Sequence, residues 1–234
     1  MLKKTKLIFI IPVYNELENL EKYFDDFLKN FSSENNYLIF VDDGSTDKSS
    51  DFLYSKLKSD FTVLKNHKNM GLGSALKTGF DYAVSMPDFF DYNYVITIDS
   101  DFQHNFSKID LYISKMKEKK FDCFLIRRNL KSYPLVKKLG NYFFSGWTSV
   151  LLKKKFYDVE TGFRIFTPET LELLNRYYKG YKYSCAQEIA VILVKKGFKI
   201  SNSEKCELNH IRSNTSFKDV FINLYYSIAT YLRV

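Results

Sequence analysis

The residues best suited to chemistry are Asp99, Ser100 and Asp101, followed closely by Gln103 and His104. They end the apolar, β-branched run at residues 94–98. A strand of that kind stopping in two carboxylates reads as a buried element opening into a site, because an ionised Asp is costly to bury unpaired. In an extended segment alternate side chains share a side, which would bring Asp99 and Asp101 together. Two hard oxygen donors suit Mg²⁺ or Mn²⁺, with a phosphate completing the shell. A lone D-x-D triplet also fits a solvated turn or a cap, so the surrounding elements must decide.

Those elements alternate. Residues 7–13, 37–41, 61–64, 94–98 and 121–126 are short apolar runs, and amphipathic stretches lie between them at 16–31, around Phe52 and Leu53, at 74–84 and at 109–116. Strands apolar on both faces, alternating with helices, predict an α/β fold with a mainly parallel sheet covered by helices on both sides. Ligands then bind beyond the carboxyl ends of the strands. Three such ends are polar: Pro12-Val13-Tyr14-Asn15-Glu16, Asp42-Asp43-Gly44-Ser45 and Asp99-Ser100-Asp101. Asn15 is placed to cap the first helix, and Ser45 or Thr46 the second. Thr167 followed by Pro168 opens a later helix, another spans 184–196 before Gly197, and residues 198–202 resemble a last strand. Residues 130–157 give no clear period. From Phe217 to Leu232, apolar residues recur at i, i+3 and i+4, the pattern of an amphipathic helix.

At 234 residues and 45% hydrophobic content, the chain can build one full α/β core, with room for a small appendage. Its 22 Phe and 18 Tyr exceed what such a core needs, so some aromatic surface is expected to meet a ligand, a membrane or a partner. Net charge is +8, and twelve Lys or Arg fall between Lys115 and Lys155 against Glu118 and Asp122. An anionic partner follows from that imbalance. Nucleic acid is not expected: no motif of that kind is present, and the carboxylates would repel a phosphate backbone unless filled by metal. Cys123, Cys185 and Cys206 are far apart and form no C-x-x-C, which argues for a reducing compartment and against zinc. The short basic start before residue 7 is cut off from signal-peptide character by Pro12, Asn15 and Glu16, and no apolar run approaches the ~18 residues of a membrane span.

Five stretches, in order, carry a resemblance: Ile11-Pro12-Val13-Tyr14-Asn15-Glu16; Val41-Asp42-Asp43-Gly44-Ser45-Thr46-Asp47; residues 69–80; Asp99-Ser100-Asp101-Phe102-Gln103-His104; and Asp158-Val159-Glu160-Thr161-Gly162-Phe163-Arg164. Together the chain resembles a family 2 glycosyltransferase, closest in pattern to dolichol-phosphate mannose synthases and bacterial polyprenyl-phosphate glycosyltransferases. The resemblance implies a GT-A-type, Rossmann-like domain over residues 1–210, an acceptor- or lipid-facing segment at about 128–157, and a basic loop with an amphipathic helix over 211–234. It assigns Pro12, Tyr14, Glu16, Val41, Asp42 and Asp43 to the nucleotide. Turn and helix capping is the other reading of Asp42 and Asp43. It gives Asp99, Asp101 and Gln103 to a Mg²⁺ or Mn²⁺ ion, with Ser100 at the diphosphate, Arg128 to the sugar donor or acceptor phosphate, and Arg212 and Lys218 to phosphate charge. An arginine and a serine of the family's acceptor region stand here as Lys137 and Asn141.

The implied reaction moves a hexose, mannose or glucose foremost, from a GDP- or UDP-sugar to a polyprenyl or dolichyl phosphate with inversion. A phosphate monoester needs no general base, its second pKa being about 6. A hydroxyl acceptor on a cell-surface glycan would need one, and Glu188 is the candidate, with a salt bridge or cap as its alternative role. The resemblance also implies a peripheral position on the cytoplasmic face of a membrane, and leaves room for a membrane-protein partner or a homo-oligomer. A sugar-nucleotide-binding protein without turnover is the competing class, and the intact Asp99 and Asp101 speak against it.

Overall fold

The computed structural model describes residues 5–31, 35–56, 60–102, 104–181, 184–207 and 220–234. The chain forms two compact units, Met1–Phe102 with Thr167–Lys182, and Gln103–Phe166 with Tyr183–Val234. The first begins with β1 (Leu7–Val13), α1 (Leu17–Phe31), β2 (Asn36–Asp42), α2 (Ser49–Ser55), β3 (Phe61–Lys65), α3 (Leu72–Ser85) and β4 (Tyr94–Thr97). The second follows with α4 (Ile109–Lys119), β5 (Cys123–Leu125), β6 (Arg127–Arg128), α5 (Leu135–Leu152) and β7 (Arg164–Phe166). Helix α6 (Pro168–Tyr177) returns to the first unit, and α7 (Cys185–Lys195), β8 (Ile200–Ser201), β9 (Lys205–Cys206) and α8 (Val220–Arg233) complete the second.

In the first unit the strands run parallel in the order β3-β2-β1-β4. The chain steps outward from β1 to β3, then crosses back to place β4 on the other side of β1. Ile8, Phe9, Ile10 and Ile11 are all fully buried, as a strand covered on both faces requires. On one face Phe24 of α1 meets the rings of Phe40 at 5.5 Å, Phe52 at 5.5 Å and Phe61 at 6.3 Å. Each such ring pair adds about 0.5–1.5 kcal/mol beyond the area it buries. On the other face α3 approaches so closely that a Cβ at Gly79 would stand 2.5 Å from Ile10 Cγ2 and 3.2 Å from Val41 Cγ2. Glycine is what allows this helix to lie on the sheet.

In the second unit β5 pairs antiparallel with β7 and parallel with β8, while β6 pairs parallel with β9. The stretch without a clear period contains an 18-residue helix, α5. Its buried side includes Asn141, Ser145 and Thr148, and its exposed side includes Leu135, Leu139 and Val150. Polar residues buried beside Phe144 and Leu152, together with apolar residues outside, are what hid the helix from a hydrophobic pattern. Thr167 caps α6 through its side chain with Pro168 in the first turn, and Gly197 follows α7 with φ +81°, both as predicted. Among the described residues, no helix is long and apolar enough to cross a membrane.

Candidate active site

The first unit opens at the carboxyl end of β1. There the Val13 carbonyl accepts the Asp43 N–H at 2.8 Å, and the Ile10 carbonyl accepts the Ile98 N–H at 3.2 Å. Odd-numbered residues of β1 therefore face β2 and even-numbered ones face β4. Pro12 is next on the β4 side; it has no N–H to donate, and β4 has already ended at Thr97. The ladder splits at that point. In the order β3-β2-β1-β4 it is also where chain direction across the sheet reverses, the position at which open parallel sheets bind ligands.

One carboxylate clamps the loops around this opening. Asp47 Oδ2 accepts the Leu17 N–H at 3.0 Å at the start of α1. Its Oδ1 accepts the Ser49 N–H at 3.0 Å and the Ser49 hydroxyl at 2.6 Å at the start of α2. Burial pushes the Asp47 carboxyl up, but bonds from the Ser49 hydroxyl and the Leu17 and Ser49 N–H groups outweigh it and hold it below its ordinary range. Asn15, Ser45 and Thr46 are therefore not the helix caps the sequence suggested. Asn15 adopts a left-handed φ of +52°, donates its N–H to Ser45 Oγ at 2.9 Å and accepts the Thr46 N–H at 2.8 Å, tying the β1 loop to the β2 loop.

Asp42 and Asp43 are buried and engaged within the chain. Asp42 accepts the Ser45 N–H at 2.9 Å and the Ser50 hydroxyl. Asp43 accepts Asn66 Nδ2 at 2.8 Å and the N–H groups of Met70 at 3.1 Å and Gly71 at 2.7 Å, just ahead of α3. Both carboxylates therefore make turn- and loop-capping contacts within the chain. Gly44 between these loops has φ +75°, and a Cβ there would lie 2.6 Å from the Lys68 carbonyl carbon, so the turn requires glycine. Val41 is fully buried, with its side chain packed under α3. Pro12 and Glu16 are half-buried at the rim, Asn19 donates to the Glu16 carboxylate, and Tyr14 is 43% exposed.

Beyond β4 the backbone turns. The Phe102 N–H donates to the Asp99 carbonyl at 3.3 Å, Phe102 has φ +49°, and its ring is buried 4.8 Å from that of Phe27. The extended geometry expected for Asp99-Ser100-Asp101 is therefore absent, and strand alternation does not set where these carboxylates point. A bulky residue with positive φ is a strained conformation, here held by the buried ring. Asp99 and Asp101 are half-buried and Ser100 is buried. Among the described residues, no three His, Cys, Asp or Glu side chains form a metal-binding group. Two neighbouring carboxylates fit Mg²⁺ or Mn²⁺ of the kind that reaches a site with substrate phosphates and keeps its remaining shell as water. Gln103, Arg212 and Lys218 lie outside the described residues.

The second unit carries a separate charged cluster. Asp158, 1% exposed, accepts the Arg128 backbone N–H, Nε and Nη2, each at 2.9 Å, and Asn141 Nδ2 at 2.5 Å. Asn202 Oδ1 accepts the Asp158 N–H at 2.9 Å, and Asn202 Nδ2 donates back to the Leu125 carbonyl at 2.7 Å. Burial alone would raise the Asp158 carboxyl; the Arg128 guanidinium overcomes this and holds it below its ordinary value. Arg128 is thereby fixed in a fork geometry, with the Tyr133 ring 5.8 Å away. Asn141, one of the two departures from the family's acceptor pattern, is the residue that completes this fork.

Glu188 is buried and accepts Arg233 Nη2 at 2.9 Å, so the salt bridge weighed for it is present. Sequence reasoning missed a different carboxyl. Glu160 is half-buried beside Gln187, whose amide donates to it, and burial pushes its pKa up to about 7. The signal was available, since Glu160 lies inside the motif from Asp158 to Arg164, but nothing in spacing distinguishes a buried acid from an exposed one.

A parallel β3-β2-β1-β4 sheet with carboxylates at its strand ends defines the doubly wound α/β class. Within that class the chain belongs to glycosyl transferase family 2, whose profile matches residues 8–176. The protein is a glycosyltransferase. It is 34% identical over 203 residues to an uncharacterized protein of Methanocaldococcus jannaschii, spanning 83% of this chain and 84% of the relative. It is 29% identical to the UDP-N-acetylglucosamine–dolichyl-phosphate N-acetylglucosaminyltransferase of Methanococcus voltae, spanning 82% and 81%. Among solved structures, glucosyl-3-phosphoglycerate synthase of Mycobacterium tuberculosis, crystallised with Mn²⁺, UDP-glucose and phosphoglyceric acid, aligns with a TM-score of 0.67. That alignment covers 98% of this chain and 79% of the synthase at 13% identity. The shared GT-A fold is the finding there.

Proposed function

We propose that this chain transfers a hexose, mannose or glucose foremost, from a GDP- or UDP-sugar to a polyprenyl or dolichyl phosphate, with inversion at the anomeric carbon. The observation that carries the reading is that β1, β2 and β4 end side by side at the switch point of one parallel sheet, each followed directly in sequence by its polar segment, Tyr14-Asn15-Glu16, Asp43-Gly44-Ser45 and Asp99-Ser100-Asp101. The dolichyl-phosphate acceptor of the M. voltae relative supports the choice of lipid.

In this reading Tyr14 and the loops fixed by Asp42, Asp43 and Asp47 shape the nucleotide pocket. Asp99 and Asp101, joined by Gln103, would hold Mg²⁺ or Mn²⁺, which would supply positive charge to a departing diphosphate. Arg128, held by Asp158 and Asn141, presents its guanidinium to phosphate, aided by Arg212 and Lys218. The acceptor phosphate is already anionic at neutral pH and attacks without a base. The catalytic domain is assigned to residues 1–210, and residues 211–234, whose helix α8 packs on α7, to its membrane-side part at the cytoplasmic face.

A hydroxyl acceptor is the second reading; it requires a general base, and Glu160, which accepts the Gln187 amide inside the Asp158 to Arg164 motif, is the carboxyl tested for that role. Incubation of the purified protein and Mn²⁺ with a panel of nucleotide sugars, offering polyprenyl phosphate or glycan acceptors, separates the two. Transfer to the lipid phosphate, lost in Asp101→Ala and kept in Glu160→Gln, is the expected result. Transfer only to a hydroxyl, abolished by Glu160→Gln, would overturn the lipid assignment.

A further inference from the structure

Two arginines of the second unit stand in one charged cluster, and only one of them is matched. Arg128 has its carboxylate, Asp158. Arg164, on β7, is 2% exposed. Among the described residues its guanidinium donates no hydrogen bond and joins no ion pair. Its place on the sheet gives the reason. Arg164 pairs directly with Leu125, and Phe166 with Cys123, so these four side chains share a face. Leu125 and Phe166 are apolar, and burial raises the Cys123 thiol far above its ordinary range, which keeps it neutral. Glu160 lies within electrostatic reach of Arg164, and also of Arg128 and Asp158. Burial raises Glu160 to about 7, and its Oε1 is already taken by the Gln187 amide, so near neutral pH it supplies at most part of a countercharge. Asp158 answers Arg128, a partly protonated Glu160 faces both arginines, and the cluster keeps a surplus of positive charge.

A guanidinium stays charged inside a protein, so its burial has to be answered by a partner and not by loss of a proton. An apolar residue of similar volume would pack against Leu125 and Phe166 without that cost. An anion supplies both what the N–H groups lack and what the surplus charge requires. Phosphate oxygens fit best, because the planar fork of an arginine engages them two at a time. We propose that Arg164 is a second phosphate-binding arginine of this unit, taking the phosphoryl group of a substrate in addition to Arg128. This deepens the phosphate-acceptor reading, on which it rests for its purpose. Two phosphates are on offer in that reading, the lipid monophosphate and the diphosphate of the donor, and the same fork chemistry takes either.

Thermal unfolding in chloride and in inorganic phosphate at equal ionic strength, without metal, nucleotide or lipid, tests it. Wild type should melt about 4 °C or more higher in phosphate, and Arg164→Met should keep half of that shift or less. In chloride, Arg164→Met should be at least as stable as wild type, because it removes a buried charge that has no partner in the chain. Arg164→Lys, which keeps the charge but not the fork, should keep more of the phosphate shift than Arg164→Met. Calorimetric titration of farnesyl phosphate and, separately, of UDP and GDP assigns the source: Arg164→Met should weaken at least one arm by about tenfold or more. Lower stability of Arg164→Met in chloride, or its failure to fold, would show that groups of the chain already answer this arginine and would overturn the proposal. Equal phosphate shifts in all three proteins, or unchanged affinity in both arms, would do the same. None of these measurements needs turnover. Absence of transfer to a lipid phosphate with the phosphate effect intact leaves this inference standing, whereas transfer with no effect of Arg164→Met on phosphate sinks it alone.

Discussion

Replacing Asp158 with Asn keeps its volume and removes its charge from the centre of the Arg128 fork. The carboxylate accepts three N–H groups of Arg128 and one of Asn141 while 1% exposed. Removing one member of a buried ion pair costs about 3–5 kcal/mol, because the remaining charge stays buried without its partner. With a urea slope of about 3 kcal/mol/M, the midpoint should fall by about 1–1.7 M at neutral pH. The pH dependence gives a second test. The Asp158 carboxyl is held below its ordinary value by Arg128, against the pull of burial. Its contribution is therefore present above the unfolded carboxyl pKa of about 3.9 and lost as pH falls through the lower folded value. The difference between wild type and Asp158→Asn should accordingly shrink below about pH 4. Urea unfolding followed by tryptophan fluorescence at several pH values measures both effects, since the single Trp147 lies on α5. A midpoint shift below about 0.3 M, or a difference that does not change with pH, would refute the argument that this pair is a stabilising, charge-assisted fork.

Two further substitutions probe the loops and the buried acid. Asp43→Ala leaves the Asn66 amide and the Met70 and Gly71 N–H groups without their acceptor. A loss of about 2–3 kcal/mol is expected, with faster hydrogen exchange at Met70 and Gly71, and unchanged exchange there would show that Asp43 does not hold the start of α3. Glu160, raised to about 7, contributes stability that is fully present below its unfolded pKa and is lost as pH rises through the folded value. Wild type should therefore lose thermal stability relative to Glu160→Gln between about pH 5 and pH 7.5, and parallel curves would contradict the burial assigned to this carboxyl.

What could be read directly was whatever depended on local pattern. Strand β1 is seven residues of unbroken apolar character ending before Tyr14-Asn15-Glu16, and its bounds, Leu7–Val13, coincide with the run. The start of α6 was legible because Thr167 and Pro168 act on their own helix. Capping of α1 and α2 was not, since Asp47 is recruited to Leu17 across thirty residues and no sequence neighbour announces it. The turn at Asp99 was hidden for a similar reason: the ring of Phe102 is anchored on distant Phe27, and that contact bends the chain. Helix α8 had a correct period, which fixes a face but not the direction in which it points. Helix α5 lost even its period, because Gly140, Gly146 and buried Asn141 and Ser145 interrupt the apolar spacing.

The proposed reaction requires carboxylates at the strand ends of one sheet to grip a nucleoside diphosphate through a divalent ion. Calorimetric titration of UDP and GDP into the protein, with and without Mn²⁺, measures this without turnover or acceptor. Binding of at least one of the two should strengthen by about tenfold or more with Mn²⁺, and that increment should be lost in Asp101→Ala while the unfolding midpoint is preserved. Equal affinity with and without the ion, or a full Mn²⁺ effect in Asp101→Ala, would contradict it.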